Sequence, residues 1–204
     1  MFRLHFNRMI LLSALSVILG VSAGCARYAR NVNTLYEPAA TARGGSGVLY
    51  IVMPAGRETL PSNVKWVIGT VKDHDGMEID KIFSPRSPLD IVQSALSLEL
   101  RKAGYTVQTV TAKPAGPVRE IDLTNAGIVL DQVSSLADLK ATCHMDVQLD
   151  AGKNGQLIKK LHYESTYSNT TVKDRDLLAG TVLQEALHSL MEKAVPEIVR
   201  VFEK

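Results

Sequence analysis

Leu139-Lys140-Ala141-Thr142-Cys143-His144-Met145-Asp146-Val147-Gln148-Leu149 alternates apolar and polar side chains without a break. Period two puts successive side chains on opposite faces, so this stretch reads as a half-buried strand with Cys143 toward a core and His144 and Asp146 away from it. Residues 150–155, with Gly152, Asn154 and Gly155, have the chemistry of a turn. Alternation resumes over 157–167, with Leu157, Leu161, Tyr163 and Tyr167 on one side. The two stretches form a hairpin, and its apolar face needs a second layer to cover it.

Upstream, short apolar runs at 47–53, 65–71, 78–83, 105–110 and 128–133 read as further strands, and Asp73-His74-Asp75-Gly76 turns the second into the third. Two helices supply the cover. Ser87 can cap the first, Pro88 suits its first position, Asp90 suits its positive end, and Gly104 stops it. Ile91, Val92, Ala95, Leu96, Leu98 and Ala103 recur between them at helical spacing. The second helix starts near Asp174 or Asp176 and carries Leu183, Ala186, Leu187, Leu190, Met191 and Ala194 on one stripe. Pro196 is expected to kink it or open a short final segment. The expected fold is a two-layer α/β (α+β) sandwich, a mixed, largely antiparallel sheet of five to seven strands with two main helices on one face.

The chain begins differently. Residues 1–24 comprise a basic region with Arg3 and Arg8, an apolar run of about 13 residues from Met9 to Val21, and Ser22-Ala23-Gly24 before Cys25. Such a run is short of the ~20 residues that span a bilayer as a helix, and the pattern is that of a signal peptide. Small residues ending in Gly before Cys resemble the bacterial lipobox, although Ser22 stands where Leu or another aliphatic is usual. That resemblance implies acylation of Cys25, which becomes the first residue of the mature chain. Several acyl chains anchor firmly, because each buried CH₂ contributes about 0.8 kcal/mol. Ala26 follows the cysteine, not the Asp that resembles an inner-membrane retention signal, so the expected location is the outer membrane, facing the periplasm. Residues 25–46, ending in Gly44-Gly45-Ser46, read as a flexible tether, and ~20 extended residues reach about 65 Å. Residues 47–204 then form one globular domain.

Composition narrows the function. Of 204 residues, 46% are hydrophobic and 22% charged, as in an ordinary globular protein. Without Arg3 and Arg8, the 23 Lys+Arg become 21, against 21 Asp+Glu. The near-neutral body lacks the concentrated cationic surface that a nucleic-acid partner requires. With Cys25 acylated, Cys143 has no partner for a disulfide within the body and is expected to be buried and inert.

The order of lipobox, tether, strands, helix, meandering strands and C-terminal helix resembles the YajG family of bacterial lipoproteins. The residues carrying the resemblance are Ile68-Gly69 before the first helix, the junction Gly104-Tyr105-Thr106-Val107, and Ala186-Leu187 after the long hairpin. It implies an envelope location and this fold, and neither a reaction nor a catalytic residue.

Candidate chemistry is sparse. If Leu149 pairs with Leu157, His144 and His162 lie directly opposite on the polar face, within reach of one transition-metal ion. The same pairing sets Asp146 opposite Lys160 and Thr142 opposite Glu164, a solvated face in which the histidines need no metal. Asp73-His74-Asp75-Gly76 lacks the ligand spacing of a calcium loop, since position 82 is Ile where a glutamate is needed. Motifs of the forms G-x-S-x-G, H-E-x-x-H and C-x-x-C are absent. The expected function is a non-enzymatic structural or accessory binding module of the cell envelope, without a cofactor. It is held to the membrane through Cys25 and docks an envelope protein by a sheet edge or by the face bearing His144, His162 and Glu164. The alternative is a ligand-handling accessory of lipid or solute transport, with an apolar pocket between helices and sheet.

Overall fold

The computed structural model describes residues 29–33, 35–39, 42–53, 65–135 and 137–203. The expected signal peptide and Cys25 lie outside the described residues. The elements run β1 (Val48–Val52), β2 (Trp66–Lys72), β3 (Glu78–Ser84), α1 (Pro88–Ala103), β4 (Thr106–Val110), β5 (Arg119–Ser134), β6 (Leu139–Lys153), β7 (Gln156–Thr171) and α2 (Arg175–Phe202). This is the mixed α+β architecture expected, with seven strands in one sheet among the described residues and helices packed upon it.

The spine of the sheet is β5. Along one edge it pairs antiparallel with β6 over nearly its whole length. Its other edge is shared by two parallel partners, β1 at Glu120–Asp122 and β2 at Leu130–Val133. Outside these lie β4, parallel to β1, and β3, antiparallel to β2. Only the second half of β5 is visible as an apolar run. Its first half contains Thr124, Asn125 and Gly127, and a bulge between Leu123 and Asn125 breaks the alternation there.

The hairpin of β6 and β7 has a different register from the one expected. The strand β6 continues through Asp150 to Lys153, and the chain reverses in two residues, Asn154 and Gly155, at φ 58° and 76°. Two positive φ angles match the strand twist, which is why Asn-Gly suits this turn. A loop over residues 150–156 would set Leu149 against Leu157; the two-residue turn, followed by a one-residue bulge, sets it against Leu161. The bulge inserts Ile158, so Leu157 points to the outer face, 55% exposed, while Leu161 and Tyr163 point inward.

The core lies between the inner face of β6 and the helices. Leu139, Ala141, Cys143, Met145, Val147 and Leu149 are all buried, as the alternation predicts, and Ala151, expected in the turn, joins them. The helix α1 has the full capping box: Ser87 Oγ accepts from the Asp90 N–H, and Asp90 reaches back to the Ser87 N–H. Gly104 ends it at φ 117°. The helix α2 runs without interruption through Pro196. Proline there deprives the Glu192 carbonyl of its usual donor, and Glu192 is exposed, so water can take that bond. Ser165 Oγ, buried beneath the helix, donates to the Ala186 carbonyl at 2.9 Å.

Of the stretch expected as a tether, the described residues lie fastened across the body. Val32 N–H donates to Phe83 O and Phe83 N–H to Arg30 O, both at 2.8 Å, making a parallel bridge on the free edge of β3. Val32 and Tyr36 are buried in the core, and Gly45 N–H closes on Ala103 O at 2.9 Å. Ser46 donates from its backbone and its hydroxyl to Glu203, which Arg119 also holds at 2.8 Å. The described residues of 29–46 thus form a strap across the helical layer.

Candidate functional site

The outer face of β6 and β7 carries the polar residues singled out by alternation, in pairs set by the observed register. Asp146 stands opposite Glu164, Gln148 opposite His162, His144 opposite Thr166 and Thr142 opposite Ser168. The expected pairing of His144 with His162 is therefore corrected. They lie four residues apart along the ladder, roughly 13 Å, too far to share an ion. His144 Nδ1 instead shares a hydrogen bond with Thr166 Oγ1 at 2.9 Å, and Thr142 and Ser168 share one at 2.8 Å.

Around His162 the register assembles a different group. His162 Nε2 donates to Asp146 Oδ2 at 2.6 Å and lies 3.8 Å from Glu164 Oε1. One ligand atom from each of these three residues lies within 4.8 Å of the others. The Asp146 hydrogen bond raises the His162 pKa above its ordinary value, and Glu164 adds to it. These carboxylates thus favour the protonated imidazolium, which cannot ligate. A divalent cation here has to displace that proton and would find three protein ligands, one short of a closed tetrahedral site.

A second group sits under the strap, and the sequence reading passed over it. Glu99 is only 1% exposed, on the apolar face of α1 between Leu96 and Leu100. Tyr36 Oη donates to Glu99 Oε1 at 2.7 Å, and Ala39 N–H donates to the same oxygen at 2.6 Å. Burial, then the Glu99 hydrogen bond and charge, push the Tyr36 phenol well above its ordinary range, so it stays a donor. The Tyr36 ring meets His188 edge-on with centroids 5.1 Å apart, and His188 Nε2 lies 2.7 Å from the Glu37 carbonyl. Lys102 Nζ holds the Pro38 carbonyl at 2.8 Å. The signal available in the sequence was a carboxylate inside an apolar helical stripe, which must find donors if buried. The arrangement is a fastening, since every polar contact named here joins strap to helix.

A surface depression of about 310 Å³ lies where the strap meets β1 and β5, lined by Ser46, Gly47, Val48, Tyr50, Pro117, Val118 and Arg119. It is open and partly polar, and away from the helix–sheet interface where the ligand-handling alternative places an apolar pocket. At that interface Leu149, Leu183, Leu187 and Met191 are buried side chains of the core. Cys143 is fully buried in the same core, and burial pushes its thiol up to about 12, which leaves it protonated and inert. The Asp73–Gly76 segment is a turn: Asp73 Oδ1 accepts from the N–H groups of Asp75 and Met77, and Gly76 has φ 81°. Among the described residues no helix is long and apolar enough to cross a membrane.

No family model matches the chain, and no curated protein does. Solved structures with a similar arrangement include a Xanthomonas campestris protein of the DUF330 family, 13% identical over 86% of this chain and 96% of that one, at TM-score 0.46. A minor lipoprotein from Acinetobacter baumannii is 10% identical over 74% of this chain and 91% of that one, at TM-score 0.45. Rare lipoprotein B from Shewanella oneidensis is 13% identical over 66% and 92%, at TM-score 0.33. Two of these three neighbours are lipoproteins by name, and identities this low leave the function to be argued from the chain's own residues.

Proposed function

We propose that this chain is a lipid-anchored, non-enzymatic accessory module of the bacterial envelope, held by acylated Cys25 on the periplasmic face of the outer membrane and docking another envelope protein. The observation that carries the reading is Ser22-Ala23-Gly24-Cys25 at the end of a basic-then-apolar leader. Ala26 after the cysteine favours the outer membrane, and the YajG resemblance points to the same compartment. The polar groups described above are occupied structurally: Glu99 by the strap and Asp146 by His162. Neither presents a nucleophile with an adjacent base. The outer face of β6 and β7, with His144, His162 and Glu164 on solvent, is the surface offered to a partner.

The test is mass spectrometry of the mature N-terminal peptide with fractionation of the cells. The expected result is Cys25 as first residue carrying acyl chains, in the outer-membrane fraction, and a soluble periplasmic product from Cys25→Ser. An unmodified thiol, or a wild-type chain that is freely soluble, refutes the reading.

A further inference from the structure

We propose that the end of the sheet formed by the β2–β3 turn faces the lipid surface, with Met77 and Ile79 against it, and that the β6–β7 hairpin tip stands away from the membrane. This rests on acylation at Cys25 as proposed above, and it concerns how the body is held once anchored.

The strap sets the geometry. The Ala29 carbonyl accepts from Gln132 Nε2 at 2.9 Å, Arg30 pairs with Asp80 at 2.6 Å, and Asn31 Oδ1 accepts from Lys65 Nζ at 2.9 Å. Those contacts, with the two backbone bonds to Phe83, fix the chain from Ala29 onward to the body. Three residues lie between Cys25 and Ala29, and the four Cα–Cα steps give a covalent reach of at most about 14 Å. A 25–46 tether would have allowed several times that distance.

Direction follows from the bridge. Asn31 pairs with Phe83 in parallel, so the strap runs the same way as β3 and enters from the side where β3 begins. That side is the turn at 73–77. Ala29 is level with Lys81, and Met77 lies four residues earlier, about 13 Å along the strand. Met77 and Ile79 are exposed there, at 67% and 50%. The far end is marked by Arg119, which pairs with Lys153 beside the Asn154-Gly155 turn. From Gln132, bonded to Ala29, to Arg119 is thirteen residues of β5, roughly 43 Å. A short leash fixed near one end of so long a sheet brings that end to the bilayer first.

Charge at this end is largely compensated. Arg30 is matched by Asp80 and Lys72 by Asp131, while Asp73, Asp75 and Glu78 surround the turn. Contact with lipid therefore draws on the leash and on Met77 and Ile79, and anionic headgroups add nothing to it.

The full acylated chain tests this on phosphatidylcholine vesicles containing a rhodamine-labelled lipid as energy acceptor. A donor dye is placed on Met77→Cys or on Gln156→Cys, both at exposed positions, while Cys143 is buried and Cys25 is consumed by its modification. Transfer is expected to be severalfold greater from position 77 than from 156. Inserting about twenty Gly/Ser residues between Arg27 and Tyr28 makes a flexible leash, and the difference between the two sites should then shrink. Equal transfer from both sites in acylated, vesicle-floated protein shows a body lying flat and overturns the orientation, as does greater transfer from 156. A chain that lacks the acyl mass and does not float overturns the proposed function instead, and the orientation with it.

Discussion

Replacing Tyr36 by Ala asks whether the strap is part of the folded body. Tyr36 is buried, its ring lies against His188, and its hydroxyl supplies one of the hydrogen bonds to the buried Glu99 carboxylate. Truncating a buried aromatic to Ala costs about 3–5 kcal/mol. The strap can detach while the sheet and helices remain folded, so the loss should appear as local opening of residues 29–46 and leave global unfolding less affected. Three amides report it: Val32, bonded to Phe83 O; Ala39, bonded to Glu99 Oε1; and Gly45, bonded to Ala103 O. At 1.4 kcal/mol per factor of ten, their native-state hydrogen exchange should accelerate by about a hundredfold to several thousandfold in Tyr36→Ala, with amides of Cys143 and Met145 unchanged. Tyr36→Phe keeps the ring and removes only a hydrogen bond to a charged group, about 1.5–3 kcal/mol, so it should fall between Ala and wild type. Exchange at free-chain rates with Tyr36 intact, or no change in Tyr36→Ala, shows that this segment is not fastened.

His162 should titrate above the ordinary histidine range, and Asp146→Asn should lower its pKa toward that range when followed by imidazole NMR shifts. Because the folded pKa is the raised one, the pair's contribution to stability is complete below the unfolded value and fades as pH rises through the folded value; a contribution growing with pH contradicts the assignment. Gly69→Ala should destabilise by about 3 kcal/mol or more in urea, because the new Cβ would sit 1.7 Å from the Leu130 carbonyl oxygen across the β2–β5 pair. Gly127→Ala, whose Cβ meets nothing nearer than 3.8 Å, is the matched control and should be neutral or slightly stabilising. Cys143 should resist thiol reagents until the protein unfolds, and modification under native conditions at the rate of an exposed thiol would contradict its placement in the core.

Three features of this chain differed in how far the sequence could show them, and each difference has a physical cause. The faces of β6 were readable because side-chain alternation reports directly which face is dry, and Leu139 to Leu149 needed nothing else. The register was not, because it depends on where the chain turns and on the bulge at Ile158: replacing a 150–156 loop by the Asn154-Gly155 reversal and that bulge leaves the faces unchanged from Leu161 onward and moves His162 from opposite His144 to opposite Gln148. Faces survive an even shift of register, whereas site geometry does not. That is why the histidines were correctly placed on the outer surface while the group around His162, with Asp146 and Glu164, went unrecognised. The strap was hidden for another reason. Its Gly and polar residues look like a linker when scored by side chain, yet what fastens it is largely main chain: the carbonyls of Ala29, Arg30, Glu37 and Pro38 and the N–H groups of Val32, Ala39 and Gly45. Backbone donors and acceptors are the same for every residue except proline, so no pattern in this segment announces them. The partner side announces more, since Glu99 in the apolar stripe of α1 is costly unless something supplies donors. A buried carboxylate in an apolar helical stripe therefore argues for a segment that covers it and supplies donors, and Tyr36 and Ala39 belong to that cover.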